Sequence, residues 1–300
     1  MGRDPAPAAA VPALRGPAFL ALRERVLRAG GIDIGLYKDR CIARRLDARL
    51  RAAGAADLAG YCRRLEADPG ELHRLVAALT VNVSEFFRNP ATFRALTREV
   101  FPALVAAKRA EGRRGIRLWS AGCATGEEPY SLAIALSEYL GAALREFSVM
   151  VLATDVDGPS LKAARAGRFK ARSLARVPRR ILGRYFEATR DGYRVRKGLR
   201  AMVHFRQHNL LEPFPFTRID LAVFRNVLIY MARPLQISLL DKFHDVLNPG
   251  GYLLLGKVEG LTGPSRERYQ VVNLGERIYR KPPSPPVTLG PCALAEALAP

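Results

Sequence analysis

The sequence contains no run of about 18 consecutive apolar residues, so no segment of it reads as a membrane-spanning helix. Cysteine is scarce as well. Cys41, Cys62, Cys123 and Cys292 form no Cys-x-x-Cys pair and match no zinc-ligand spacing, which argues against a disulfide framework and a structural zinc site. Such thiols fit reduced core residues of a cytoplasmic protein. No repeat of fixed period is visible. Acidic residues are few: 28 Asp and Glu stand against 48 Lys and Arg, a formal charge of +20. An imbalance of that size points to an acidic partner, whether nucleic acid, an anionic membrane face or an acidic protein surface. It is concentrated between Ser160 and Arg200, where 14 basic residues face only Glu187 and Asp191.

Apolar material is plentiful, 49% of 300 residues, enough for two domains or one large one. Residues 1–17 are rich in Ala and Pro and read as a disordered tail, as does the Pro-rich stretch 282–300. Between them the pattern changes once. Residues 18–90 carry only helical spacing, at 18–29, 40–53, 56–66 and 70–79, with glycines and Pro69 as punctuation. A linker helix is expected over 91–112, continuous with apolar spacing that starts at Pro90. From 113 to 281 short apolar runs at 116–120, 148–154, 202–205, 219–224 and 251–255 alternate with helical segments at 129–140, 160–166 and 234–247. That alternation predicts an α/β fold, a doubly wound parallel sheet covered on both faces, closed by an edge hairpin at 270–279. A small β-insertion is expected at about 184–200, where Asp191-Gly192 marks a turn.

The segment Trp119-Ser-Ala-Gly-Cys-Ala-Thr-Gly-Glu-Glu-Pro-Tyr-Ser131 follows a predicted strand and opens a helix. Its small residues allow close backbone approach to a ligand. Gly122 and Gly126 have neither dinucleotide-binding nor P-loop spacing, and Glu127 and Glu128 would repel a pyrophosphate. A neutral or cationic ligand fits better, and S-adenosylmethionine, a sulfonium without phosphate, is one. Asp155 ends the second predicted strand, where a carboxylate accepts bonds from both ribose hydroxyls. Asp157, before Pro159, suits a helix cap. Asn209 is placed to meet an adenine edge. Asn226 is followed by Val227 and Leu228 rather than by Pro-Pro, the pattern that grips a planar nitrogen in amine and base methyltransferases. That omission argues against a nucleic-acid acceptor.

Five ordered motifs then resemble the chemotaxis receptor methyltransferases, the CheR family, over roughly Phe19 to Lys281. They are Thr80-Val-Asn-Val-Ser-Glu-Phe-Phe-Arg88, the Trp119–Ser131 segment, Ala153-Thr-Asp-Val-Asp157, Asn209-Leu-Leu211 and Arg225-Asn-Val-Leu-Ile-Tyr230. The resemblance implies a Rossmann-like class I methyltransferase domain, an N-terminal all-α domain and a small inserted β-subdomain. It implies cofactor contacts by Asn82, Ser84, Arg88, Glu127, Asp155, Asn209, Leu210, Asn226 and Val227, with Gly122 in the glycine loop. The family commonly has Gly-x-Ser-Glu after its fifth strand, where this chain has Gly256-Lys-Val-Glu259. The segment after Phe186 is short compared with members that tether to a receptor's C-terminal pentapeptide, so no tether is expected.

The reaction so implied is methyl transfer from S-adenosylmethionine to a glutamate side chain, giving a methyl ester and S-adenosylhomocysteine. A glutamate with a reference pKa of about 4.3 is already ionised, so no general base is needed. Arg88 is the candidate to orient the substrate carboxylate, and Tyr230 to donate a hydrogen bond to it or line the transfer site. The expected partners are cytoplasmic helices of methyl-accepting chemotaxis receptors, with no nucleic acid. Arg40, Arg44 and Arg51, flanked by Arg45 and Arg49, lie away from the Ile42, Leu46 and Leu50 stripe of their helix and form the expected docking face. The competing readings are a nucleic-acid methyltransferase and a non-catalytic cofactor-binding regulator. The wrong glycine spacing leaves an NAD-linked oxidoreductase poorly supported.

Overall fold

The computed structural model describes residues 14–80 and 84–283. Both expected tails fall largely outside this range, as do Asn82, most of the Thr80–Ser84 polar stretch and Cys292.

Four helices form the N-terminal unit: α1 (Pro17–Gly30), α2 (Asp39–Ala53), α3 (Leu58–Ala67) and α4 (Pro69–Thr80). Their ends follow local chemistry. Pro17 opens α1, and Gly31 stops it in the left-handed region at φ 67°. Asp57 caps α3 by accepting the Gly60 N–H at 2.7 Å. Their apolar stripes, among them Leu22, Val26, Ile42, Leu46, Tyr61 and Leu75, pack into a core of their own. The linker helix runs as α5 (Pro90–Ala95), a π-helical turn over Leu96–Val100, and α6 (Phe101–Ala110). Pro102 supplies the reason for the irregular turn, since its ring and missing N–H disturb the preceding helical bonds.

The second unit contains β1 (Gly115–Ala121), α7 (Glu127–Leu140), β2 (Ser148–Asp155), α8 (Gly158–Ala166), β3 (Arg168–Phe169), α9 (Arg179–Tyr185), β4 (Phe186–Thr189), β5 (Gly192–Val195), α10 (Lys197–Ala201) and β6 (Val203–Gln207). It continues with β7 (Ile219–Phe224), α11 (Arg233–Val246), β8 (Leu247–Leu255), α12 (Ser265–Arg268), β9 (Gln270–Asn273) and β10 (Ile278–Arg280). The main sheet has the order β6-β2-β1-β7-β8-β10-β9. Its first five strands are parallel, and β10 and β9 close one edge in antiparallel fashion. All six residues of β7 are buried, as a central strand covered on both faces requires. One face packs on α5 to α7 through Phe101, Ile134 and Val223, and the other on α11 through Trp119, Phe224 and Phe243.

The small sheet, β3-β5-β4, differs from the expected insertion at 184–200 in drawing a strand from Arg168–Phe169. Two residues are too short to leave a periodic signal. Gly192 makes the pairing possible: a Cβ there would stand 2.2 Å from the Phe169 carbonyl oxygen.

Candidate functional site

The chain lays down β1, moves out through β2 and β6, then returns to place β7 on the other side of β1. Connections therefore leave in opposite directions at β1 and β7, and the crevice beyond their carboxyl ends is where such sheets bind ligands. The loop after β1 is drawn tight there. Gly122 and Cys123 both donate backbone N–H bonds to the Thr154 carbonyl, at 2.8 and 3.0 Å. Gly122 sits at φ 76°, and a Cβ on it would lie 2.8 Å from Cγ2 of Val227 across the cleft. The backbone is thus bare where a ligand would pass between the two loops.

Asp155, a buried residue, ends β2 with its carboxylate accepting N–H bonds from Ala124 at 2.8 Å and Asp157 at 3.0 Å. Burial raises its pKa, and the backbone donors offset this only in part. A ligand offering hydroxyl donors would complete the shell. Asp157 stands at the N-cap position of α8 without a side-chain cap to the backbone, its carboxylate accepting the Ser160 hydroxyl at 2.7 Å instead.

The loop after β7 is held from behind. Asn226 is left-handed at φ 62°. The buried Glu259 carboxylate accepts from the N–H groups of Asn226, Ile229 and Gly256 at 2.9, 3.2 and 2.7 Å. Gly256 has to be glycine, because a Cβ would come within 2.5 Å of Glu259 Oε2. The family's serine position is occupied by the exposed Val258, and the preceding Lys257 turns its ammonium to Glu276 and the Gly275 carbonyl in the edge hairpin.

Ser84, Arg88, Gly122, Asp155, Asn209, Leu210, Asn226, Val227 and Tyr230 line one cleft. Glu127 requires a correction. Successive helical residues point about 100° apart, and Glu127 turns away to accept the Thr125 hydroxyl at 2.7 Å, while Glu128 lines the cleft. Glu128 is held there by Ser120 Oγ at 2.8 Å and Arg225 at 3.1 Å. Asn209 lines the wall, but its amide already donates to the Gly31 carbonyl at 2.6 Å and accepts from Leu211 N–H at 3.0 Å. It joins the two units as well as facing the cleft. The sequence motifs assign Arg225 no role of its own. A charged residue directly after an all-apolar strand end was the available signal.

The N-terminal unit roofs the cleft with Ile32, Tyr37, Leu79 and Thr80. It is stitched down by a bridge between Tyr37 and Met231 and by Lys38, whose backbone N–H donates to Tyr230 O at 2.8 Å and whose ammonium donates to Ile229 O at 2.9 Å. This geometry corrects two docking assignments. Arg45 is 7% exposed, donates to the Leu79 carbonyl, and lays its guanidinium 4.4 Å from the Tyr230 ring centroid. Arg49 pairs with the buried Glu71 at 2.6 Å. Arg40, Arg44 and Arg51 remain exposed, with Arg51 paired to Asp47. Among the described residues no cluster fits a metal ion, and no helix is long and apolar enough to cross a membrane.

Comparison with known proteins matches residues 17–80 to the family profile "CheR methyltransferase, all-alpha domain" and residues 82–278 to "CheR methyltransferase, SAM binding domain". The chain is 35% identical over 258 residues to Chemotaxis protein methyltransferase 1 of Pseudomonas aeruginosa, covering 83% of this chain and 92% of that one. It is 32% identical to Chemotaxis protein methyltransferase Cher2 of Pseudomonas putida, covering 85% and 94%. It is also 34% identical to an uncharacterized 104.1 kDa protein of Rhodobacter capsulatus, of which it spans only 27%.

Proposed function

The chain belongs to the CheR methyltransferase family, and from that premise we propose that it is an S-adenosylmethionine-dependent protein-glutamate O-methyltransferase acting on methyl-accepting chemotaxis receptors. The observation that carries the chemistry is a cleft at the β1/β7 switch point lined by three carboxylates, Glu128, Asp155 and Glu85, the last paired with Arg176 at 3.5 Å, with no phosphate-binding glycine loop. Those anionic acceptors fit a cofactor with an ammonium, a sulfonium and a ribose diol. The bare Gly122 backbone opposite Val227 leaves passage for its thin central portion.

When bound, S-adenosylmethionine supplies a methyl group that a carboxylate oxygen takes by in-line displacement, the C–S bonding pair staying on sulfur. The residues of this chain do the rest. Asp155 takes the ribose hydroxyls, Glu128 attracts the ammonium, and Asn226 and Val227 form the wall beside the reacting centre. Asn209 and Leu210 border the adenine side. Arg88 draws in the substrate glutamate, already ionised near neutrality, by a charge-assisted hydrogen bond. Tyr230 lines the same mouth and is steadied from behind by Arg45. Since no proton must be removed, the work is orientation and exclusion of water, which the roof of Ile32, Tyr37 and Leu79 favours.

The substrates proposed are acidic cytoplasmic helices of chemoreceptors, in keeping with a charge of +20. The two-residue turn between β4 and β5 leaves little room for a peptide-binding loop, which supports a reading without a pentapeptide tether. The absence of Pro-Pro after Asn226 speaks against a nucleic-acid acceptor. A cytoplasmic location follows from such a substrate. The test is incubation with radiolabelled methyl donor and receptor cytoplasmic fragments, beside calorimetric titration with S-adenosylhomocysteine. Base-labile label on the fragment and saturable heat are expected. Absence of saturable binding, or label going to RNA instead, would overturn the assignment.

A further inference from the structure

The linker from Ser84 to Asn89 carries Ser84 and Arg88 into the cleft, and it does so in an unfavourable conformation. Phe87 and Asn89 both lie in the left-handed region, at φ 53° and 62°. Neither is glycine, so surrounding contacts must hold the turn. One end is fixed by the Phe87 N–H, which donates to Ser131 Oγ at 2.9 Å. The other end is fixed by Arg225. Its Nη2 donates to the Arg88 carbonyl at 2.9 Å and to Asn89 Oδ1 at 2.7 Å, while Nη1 donates to Glu128 at 3.1 Å.

The Arg225 side chain is 2% exposed, and its Nε is buried without a hydrogen-bond partner among the described residues. A rigid planar fork is the one side-chain group able to reach these acceptors together. It ties the end of β7, the start of α7 and the interdomain linker at a single point beside the reacting centre. Resting on the methyl-transfer reading above, we propose that Arg225 is a positioning residue for that reaction: it sets the place of Arg88 by holding the Arg88–Asn89 turn against Glu128.

The test is a double-mutant cycle on kcat with a receptor fragment, using Arg225→Lys and Arg88→Ala singly and together. Lysine keeps the charge facing Glu128 but cannot span the acceptors. Arg225→Lys is expected to lower kcat about 100-fold in the wild-type background, the scale for a reacting group misplaced by an ångström. In the Arg88→Ala background it is expected to change kcat less than about 3-fold, because the group it positions is gone. An equal loss in both backgrounds would make Arg225 a general structural anchor and overturn the proposal. Asn89→Ala, which removes only one acceptor of the same guanidinium, is run through the same cycle under the same criterion, so a poorly folding Arg225→Lys does not decide the matter. No transfer by the wild-type protein would instead overturn the function reading, and this inference with it.

Discussion

The Glu259 carboxylate accepts the backbone N–H of Asn226 at 2.9 Å and thereby fixes a left-handed residue in the wall of the cleft. The same carboxylate bonds Ile229 and Gly256, so one buried acid joins the loops after β7 and β8. Burial raises its pKa against the lowering effect of these donors. In Glu259→Gln an amide N–H₂ would face backbone donors it cannot satisfy. Leaving buried donors unpaired costs about 1–3 kcal/mol. Urea denaturation is expected to show a loss of that order, together with weaker S-adenosylhomocysteine binding as Asn226 is released. Wild-type stability in this variant would show that the clamp is dispensable.

Most of the scaffold was legible in the sequence because its signals are long. The run Ile219–Phe224 and the helices at 17–30, 39–53, 127–140 and 233–246 fall within a few residues of their expected bounds. What escaped is short or depends on distant chain. β3 has two residues and exists only through pairing with β5. The orientation of Glu127 against Glu128 depends on one helical step at a helix start, which motif matching does not resolve. Arg45 and Arg49 lie beside an apolar stripe, and no local rule says that Tyr230 and Glu71 wait to cover them. Arg225 acquires its partners from residues 88, 89 and 128, all remote in sequence.

Gly122→Ala separates binding from folding. An alanine at φ 76° is strained by about 1–2 kcal/mol, and its methyl would press on Val227 inside the cleft. Stability should fall modestly, while calorimetric affinity for S-adenosylhomocysteine should fall at least about 10-fold, since each 1.4 kcal/mol is a factor of ten. Val227→Ala in the same background should restore part of that affinity by clearing the contact. Failure of the second change to help would show that strain, not the occupied space, is responsible.

Glu71 anchors the N-terminal core. Burial alone would raise its pKa, but hydrogen bonds from Arg49, Tyr61 and Arg74 outweigh this and hold it at about 2, against an ordinary 4.5. A depressed folded-state pKa stabilises the protein above the unfolded value, and that stabilisation is lost as pH falls from about 4.5 toward about 2. The shift corresponds to about 3 kcal/mol. Glu71→Gln should lose stability of that order at neutral pH, and its deficit against wild type should shrink over that acid window. A deficit independent of pH would mean that packing rather than ionisation is what Glu71 contributes.

The exposed arginines of α2 can be tested for docking against its enclosed one. Arg40 and Arg44 are exposed, whereas Arg45 is enclosed against Tyr230 and Leu79. If the exposed pair meets an acidic receptor helix, Arg40→Glu/Arg44→Glu should raise KM for receptor fragments about 10-fold with S-adenosylhomocysteine affinity unchanged. Wild-type KM should itself rise with salt, since exposed charges are screened beyond a Debye length of about 8 Å at physiological ionic strength. The double variant should be less salt-sensitive. Arg45→Glu should behave differently: an acid placed behind Tyr230 and beside the Leu79 carbonyl should lower kcat and thermal stability at any salt. Equal responses from the exposed pair and from Arg45 would show that α2 contributes through its packing alone and that receptor recognition lies elsewhere on the basic surface.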